Sequence, residues 1–187
     1  MSVLFPHTPY AEDQPLPHLI LGLHVLDRGF QSGALLGTVF GVARNLVLRR
    51  RGTNLSIFGT PLLRSAGLGG AISTALITLG LPVRMWGRER VEWEDRAWRL
   101  LENKGQLECD TYSTAGAVVG AAAAAWRQGM RHSGWRVLAG GAGVGSLAGV
   151  AAYMGWRYGV KGGKWEEAVA KVVEEVDPST PMAIRKK

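Results

Sequence analysis

The chain has 187 residues, 26 of them glycine and 7 tryptophan, and its 22 Lys+Arg against 15 Asp+Glu give a formal charge of +7. A single cysteine, Cys109, excludes an intramolecular disulfide framework and any CxxC metal site. A pI near 10.0 and a mean hydropathy of only +0.04 admit either a nucleic-acid binder or a membrane protein whose spans are built from small residues, so the distribution of charge along the chain must decide.

Residues 1–18 carry Pro6, Pro9, Pro15 and Pro17, with Glu12 and Asp13 and no basic residue before Arg28. This reads as an irregular amino tail and is the opposite of an Arg-rich transit peptide, so a mitochondrial address would be internal. After the apolar stretch Leu19 to Leu26 come the charge-free runs. These matter because a charge at the centre of a lipid-embedded helix is penalised by roughly 2.5–3.5 kcal/mol. Gly29 to Ala43 is 15 residues, extendable past Arg44 to Leu48. Ser65 to Val83 is 19 residues, close to the ~20 needed to cross a hydrocarbon core.

Residues 84–110 hold six Lys+Arg and seven Asp+Glu and are solvated. Val91, Trp98 and Leu101 share one face of an amphipathic helix there, with Gly105 as its expected stop. Trp93, Trp98 and Leu101 are the expected partner-binding residues. Thr111 to Trp126 is 16 charge-free residues, extendable past Arg127 to Met130, and Val137 to Trp156 is 20. Arg44 and Arg127 lie where a long side chain snorkels to the headgroups. The basic connections are Arg131 to Arg136 and the run Arg49, Arg50 and Arg51; the latter is expected to meet anionic lipid, cardiolipin if the membrane is mitochondrial. Lys164 to Val176 predicts a further amphipathic helix ended by Asp177-Pro178, with an extended tail from Thr180 to Lys187.

The fold class expected is therefore all-α: an integral membrane protein of four short glycine-rich transmembrane helices in two hairpins within residues 19–160. Amphipathic helices lie outside the bilayer, and residues 161–187 form the last of these with the tail. The tails and the central segment share one side with about 14 of the 22 basic residues. The two short loops hold the rest at higher density, so the positive-inside count leaves orientation open.

Glycines recur every four residues in the first span, at Gly29, Gly33, Gly37 and Gly41. Residues four apart share a helical face, so these form a groove without side chains into which a neighbouring backbone can sit. Ser65, Gly69 and Ser73, beside Ala66, Gly70 and Thr74, make a similar face in the second span. The third has Gly116, Gly120 and Ala124; the fourth has Gly141, Gly145 and Gly149, then Gly155 and Gly159. In water each glycine would weaken its helix by roughly 0.8–1 kcal/mol relative to Ala, which argues against a soluble bundle. In lipid, close packing of small residues is a main source of helix association.

Chemistry-bearing patterns are sparse. Gly141, Gly143 and Gly145 have the spacing of a dinucleotide fingerprint, but no β-branched strand precedes them and no ribose-binding acid follows. His18, His24 and His132 have no Cys or carboxylate at metal-ligand spacing. Glu89, Glu92, Glu94 and Asp95 are interleaved with arginines and read as a solvated face. No enzyme, cofactor or nucleic-acid site is expected, since the basic residues bracket apolar runs and do not form one patch.

Four short GxxxG-rich membrane helices, an internal address and tails on one side resemble the mitochondrial inner-membrane translocase channel family and its relative among the accessory subunits of respiratory complex I (NADH:ubiquinone oxidoreductase). The segment WEDRAWRLLENKGQLECD, Trp93 to Asp110, looks like the loop of a fungal complex I accessory membrane subunit. The resemblance covers roughly Leu19 to Gly163. The translocase family's Arg and Asp signature is not found at its usual spacing before the glycine pair, which counts against an import channel. The resemblance implies a non-catalytic subunit of the mitochondrial inner membrane, clamped to other membrane subunits and bound lipid, with a translocase-like or small channel component as the alternative.

Overall fold

The computed structural model describes residues 5–53, 59–128 and 134–163. Every regular element among them is helical: a 3-10 turn at Ala11–Asp13, then α1 Pro17–Arg50, α2 Thr60–Arg84, α3 Arg90–Glu102, α4 Lys104–Gln128 and α5 Trp135–Met154, with a π-helical turn at Gly155–Val160. The chain divides into two compact units, Met1–Ala152 and Tyr153–Lys187. In the second, the backbone N–H of Gly163 donates to the Arg157 carbonyl at 2.9 Å, and the Lys161 ammonium lies 5.9 Å from the Trp156 ring centre. The helix expected over Lys164 to Val176, the tail from Thr180 to Lys187, and Arg131 and His132 lie outside the described residues.

α1 begins well before the expected Gly29 and ends close to the expected limit at Leu48. Pro17 stands in its first turn, where a missing N–H costs nothing and the ring pre-sets the helical φ. From there 34 residues continue unbroken through Asp27 and Arg28. No proline interrupts that stretch, and both charges are answered, Arg28 by Asp110 of α4 and Asp27 by Gln31 within α1. The helix stops at Arg50, and Gly52, at φ 88°, turns the chain away. Pro61 opens α2, where a missing N–H costs nothing, while Pro82 lies inside the last turn and removes the donor to the Thr78 carbonyl two residues before the helix ends at Arg84.

α3 is stabilised by three i,i+4 ion pairs, Arg88–Glu92 at 3.1 Å, Arg90–Glu94 at 2.6 Å and Asp95–Arg99 at 3.0 Å. Its stop is not Gly105. The break is at Asn103, whose extended ψ of 94° ends α3 and whose Oδ1 accepts the Gln106 backbone N–H at 3.1 Å, capping α4. Gly105 is inside the first turn of α4.

Two antiparallel pairs make the bundle. α1 meets α2 with Gly29 against Ile77, Gly33 against Gly69 and Ser73, Gly37 against Ser65, and Gly41 against Leu62. α4 meets α5 with Gly116 against Gly145 and Gly120 against Gly141. Ion pairing of Arg28 with Asp110 and hydrogen bonding of Gln31 to Ser113 set α1 beside α4 and parallel to it. Contacts of Gly67 with Arg136 and Gly140, and of Gly143 with Ala34, bring α5 against α2 and α1.

The distribution of polarity in this bundle is inverted relative to a water-soluble one. Its buried positions include Gly33, Ala34, Gly37, Gly41, Asn45, Ala66, Gly67, Gly70, Ser113 and Ser146. Its exposed positions include Leu35, Leu36, Val39 and Phe40 on α1, Leu68, Ile72, Leu76 and Leu79 on α2, and Val118 and Val119 on α4. The apolar cluster of ordinary type is small and sits outside this region: Ile20, Ala97 and Leu101, flanked by Phe5, Leu100 and Leu107.

Two helices, Thr60–Arg84 and Trp135–Val160, are long and apolar enough to cross a membrane. Among the described helices, α1 and α4 do not reach that standard. α1 carries Asp27 and Arg28 in mid-helix, and α4 opens on the polar run from Lys104 to Asp110 and continues largely in Ala and Gly.

Candidate functional site

The glycines singled out from spacing stand at backbone-to-backbone contacts. A β-carbon at Gly33 would strike the Gly69 carbonyl oxygen, and one at Gly69 would strike that of Gly33. Gly116 and Gly145 stand in the same reciprocal relation, as do Gly120 and Gly141. A side chain at Gly37 would meet the Ser65 carbonyl, and at Gly149 the Tyr112 carbonyl. Gly29 and Gly41 are less constrained, since they meet the side chains of Ile77 and of Leu62 and Ser65. By contrast, a β-carbon at Gly155 or Gly159 has nothing within 4 Å, so the four-residue spacing there continues past the seam.

The four-residue packing pattern did not include Gly67, Gly140 and Gly143. Gly67 and Gly140 close the α2–α5 crossing, where a β-carbon would strike the carbonyls of Arg136 and Leu63. Gly143 faces Ala34 of α1. The nucleotide-like run of Gly141, Gly143 and Gly145 thus serves two neighbours at once: the outer two glycines pack on α4 and the middle one on α1.

A buried polar chain crosses three helices at the end of the bundle nearest α3. Arg28 pairs with Asp110, and its Nη1 donates to Gln31 Oε1 at 2.6 Å. Gln31 Nε2 donates to Asp27 Oδ2 and to Ser113 Oγ, each at 2.7 Å. Ser113 and Ser146 share a hydrogen bond of 2.8 Å, which carries the chain on to α5. Asp110 also accepts from Gln106 Nε2 at 2.7 Å, while His24 Nδ1 stands 3.7 Å from its other oxygen and Cys109 Sγ lies 3.9 Å from Arg28 Nη2. Paired groups in a low-dielectric interior favour one arrangement of the helices, because breaking a link leaves a buried polar group unsatisfied, as His24 Nδ1 already is beside the chain. A cavity of about 10 Å³ beside it, lined by Phe5, Ile20, Leu23, His24, Asp27, Leu100 and Asp110, has room for about one water.

Sequence reading passed over this chain because Gln31, Ser113 and Ser146 look like ordinary tolerated polar residues of a membrane helix. A signal existed. Gln31 is four residues beyond Asp27, and Ser113 shares a face with Gly116 and Gly120, so each lies on a packing face.

Trp93, Trp98 and Leu101 make their contacts within the chain. The Trp93 ring lies 4.3 Å from that of His18, and the Trp98 ring stacks on His7 at 5.6 Å. Trp98 Nε1 donates to the Thr8 carbonyl at 2.8 Å, and Leu101 is buried against Ile20. The amino-terminal segment is thereby strapped to α3, with Gln14 Nε2 donating to the Pro6 carbonyl at 2.9 Å to hold its turn. The large apolar side chains of residues 84–110 that stay exposed are Trp86 and Val91.

Arg49 and Arg50 close α1, and Arg51 caps it; all three are exposed. Among the described residues no group of three or more His, Cys, Asp or Glu side chains is placed to hold a metal ion.

No curated protein and no solved structure matches the chain. Residues 10–153 match a protein family described as a protein of unknown function (DUF1757), a region that takes in α1 to α4 and all but the last residue of α5 but begins after the strap residues Pro6, His7 and Thr8. With about three quarters of its length inside that match, the chain belongs to the DUF1757 family.

Proposed function

We propose that this protein is a non-catalytic accessory subunit of a multi-subunit complex in the mitochondrial inner membrane, namely NADH:ubiquinone oxidoreductase, where α1, α2, α4 and α5 all cross the bilayer. The observation that carries the membrane reading is the inversion of polarity: Leu36, Phe40, Leu76 and Val118 face outward while glycine, serine, Gln31 and Asn45 face inward. Water would penalise that arrangement by leaving large apolar side chains exposed, whereas lipid accepts it and requires the backbone to be satisfied internally, as helices do. The polar chain of Arg28, Gln31, Asp110, Ser113 and Ser146 is compatible with lipid because its members face one another.

An assembly role follows from how the packing faces are used. The glycine seams hold the protein's own helices together, leaving the outer apolar faces of α1, α2 and α4 for lipid or neighbouring subunits. Placement in complex I rests on the resemblance of residues 93–110 and of the four-helix pattern. Extraction of mitochondrial membranes in a mild detergent, native electrophoresis and identification of the band that carries this chain tests it. Co-migration with NADH dehydrogenase activity is expected; co-migration with a protein translocase, or release by carbonate without detergent, would overturn it.

A further inference from the structure

Charge in this protein is segregated along the bundle axis to a degree that the spans alone do not require. Residues 29–83 and 111–165 contain no Asp or Glu, so all 15 acidic residues lie elsewhere. The contacts of Gly41 with Leu62, Gly141 with Ala124 and Gly67 with Arg136 bring the end of α1, the start of α2, the end of α4 and the start of α5 to one end of the bundle. Gathered there are Arg44, Arg49, Arg50 and Arg51 from α1, Arg64 from α2, Arg127 from α4 and Arg136 from α5, all exposed. At the opposite end carboxylates answer the arginines, in the pairs of α3 and in Arg28–Asp110. At this end the local sequence supplies no carboxylate at all. The polar contact that Arg44 does make is a neutral one, to Asn45 Oδ1 at 3.3 Å.

We infer that this arginine end is a binding surface for anionic phospholipid headgroups, assembled from all four helix termini and not from the Arg49–Arg51 run alone. This rests on the membrane reading above and names the lipid class that its end face selects. The occupant is a lipid and not an acidic protein because of what lies between the arginines and the apolar band. Trp126 is 89% exposed and Trp135 57% exposed, both at this end, and the Arg136 guanidinium lies 5.5 Å from the Trp135 ring centre. Exposed indole rings beside snorkelling guanidiniums mark the depth at which acyl chain gives way to headgroup. Guanidinium also matches a phosphodiester in charge and hydrogen-bond geometry.

The test uses the full-length protein in bilayers of phosphatidylcholine and phosphatidylglycerol, with tryptophan fluorescence quenched by brominated forms of either lipid. Quenching by both reports embedding, which is the earlier reading; only the ratio reports this inference. The expected ratio favours phosphatidylglycerol roughly tenfold, on the scale of one or two basic residues at an anionic surface. It should shrink as KCl is raised and fall severalfold in the variant Arg49→Gln/Arg50→Gln/Arg64→Gln/Arg136→Gln, which keeps Arg44, Arg51 and Arg127. The variant Trp126→Phe/Trp135→Phe keeps every arginine and should lose the preferential component while retaining quenching of the remaining tryptophans. Equal quenching by the two lipids in the unaltered protein, or a preference undiminished in the four-arginine variant, would overturn the proposal.

Discussion

Gly33 of α1 and Gly69 of α2 each stand where a β-carbon would strike the other's carbonyl oxygen. Neither helix can yield to a side chain there without the whole pair separating, because the obstacle on both sides is backbone. Gly116 with Gly145 and Gly120 with Gly141 repeat the relation between α4 and α5.

Replacing Gly33 by Leu should therefore destabilise the bundle by at least the ~1–3 kcal/mol typical of overpacking. Gly22→Ala and Gly80→Ala are the internal controls, since a β-carbon at either position has nothing within 4 Å. Those two should be neutral or stabilising by up to ~1 kcal/mol, the helix-propensity difference. Unfolding midpoints in a mixed-micelle SDS titration measure all three. A Gly33→Leu midpoint equal to that of the unaltered protein would mean that the α1–α2 seam opens freely.

The Arg28–Asp110 pair is expected to behave as a coupled unit. Asp110 is almost fully buried and Arg28 less so, and removing one partner leaves the other's charge unanswered, a loss of about 3 kcal/mol in comparable buried pairs. Arg28→Gln and Asp110→Asn should each lower the SDS midpoint, and the double variant should cost clearly less than their sum. Additive losses would show that the two side chains act separately.

Ser113→Ala breaks the link from Gln31 to α5 at its middle. About 0.6–2 kcal/mol is expected, the range for interhelical hydrogen bonds in lipid, and Ser146→Ala should add little to it because the two hydroxyls share one bond. The same titration, run as a two-by-two cycle, reads the coupling.

The strap between the amino-terminal segment and α3 predicts a local effect. Trp98→Phe removes the donor to the Thr8 carbonyl while keeping a ring for His7 to stack on. Residues 5–16 should become more susceptible to limited proteolysis, with the SDS midpoint of the bundle little changed. Unaltered cleavage would show that stacking and the burial of Leu101 hold the segment without that bond.

Much of the helical content was legible from charge-free runs and glycine spacing, because both report directly on what a helix in lipid can bury. What escaped is where two elements must be seen together. That Arg28 does not end α1 depends on Asp110, 82 positions later. That Trp93, Trp98 and Leu101 face the chain's own amino end depends on His18, Thr8 and Ile20, which no helical periodicity within residues 84–110 can reveal. The stop at Asn103 was masked by the glycine two residues on, which carries the stronger conformational prior but lies in the next helix. Gly67 and Gly140 were missed because their faces point away from the regular four-residue seams.

The proposed topology places α1 and α4, the two helices with interrupted or polar sequences, in lipid alongside α2 and α5. Spin labels at Leu36 on α1 and Val119 on α4, both exposed on the outer faces, read this directly in reconstituted bilayers through their collision rates with oxygen and with a water-soluble nickel chelate. High oxygen and low nickel accessibility is expected at both positions, matching a label at Leu76 on α2. High nickel accessibility at Leu36 and Val119 with a lipid-like signal at Leu76 would contradict that topology, leaving a protein with fewer spans and a water-exposed α1–α4 face.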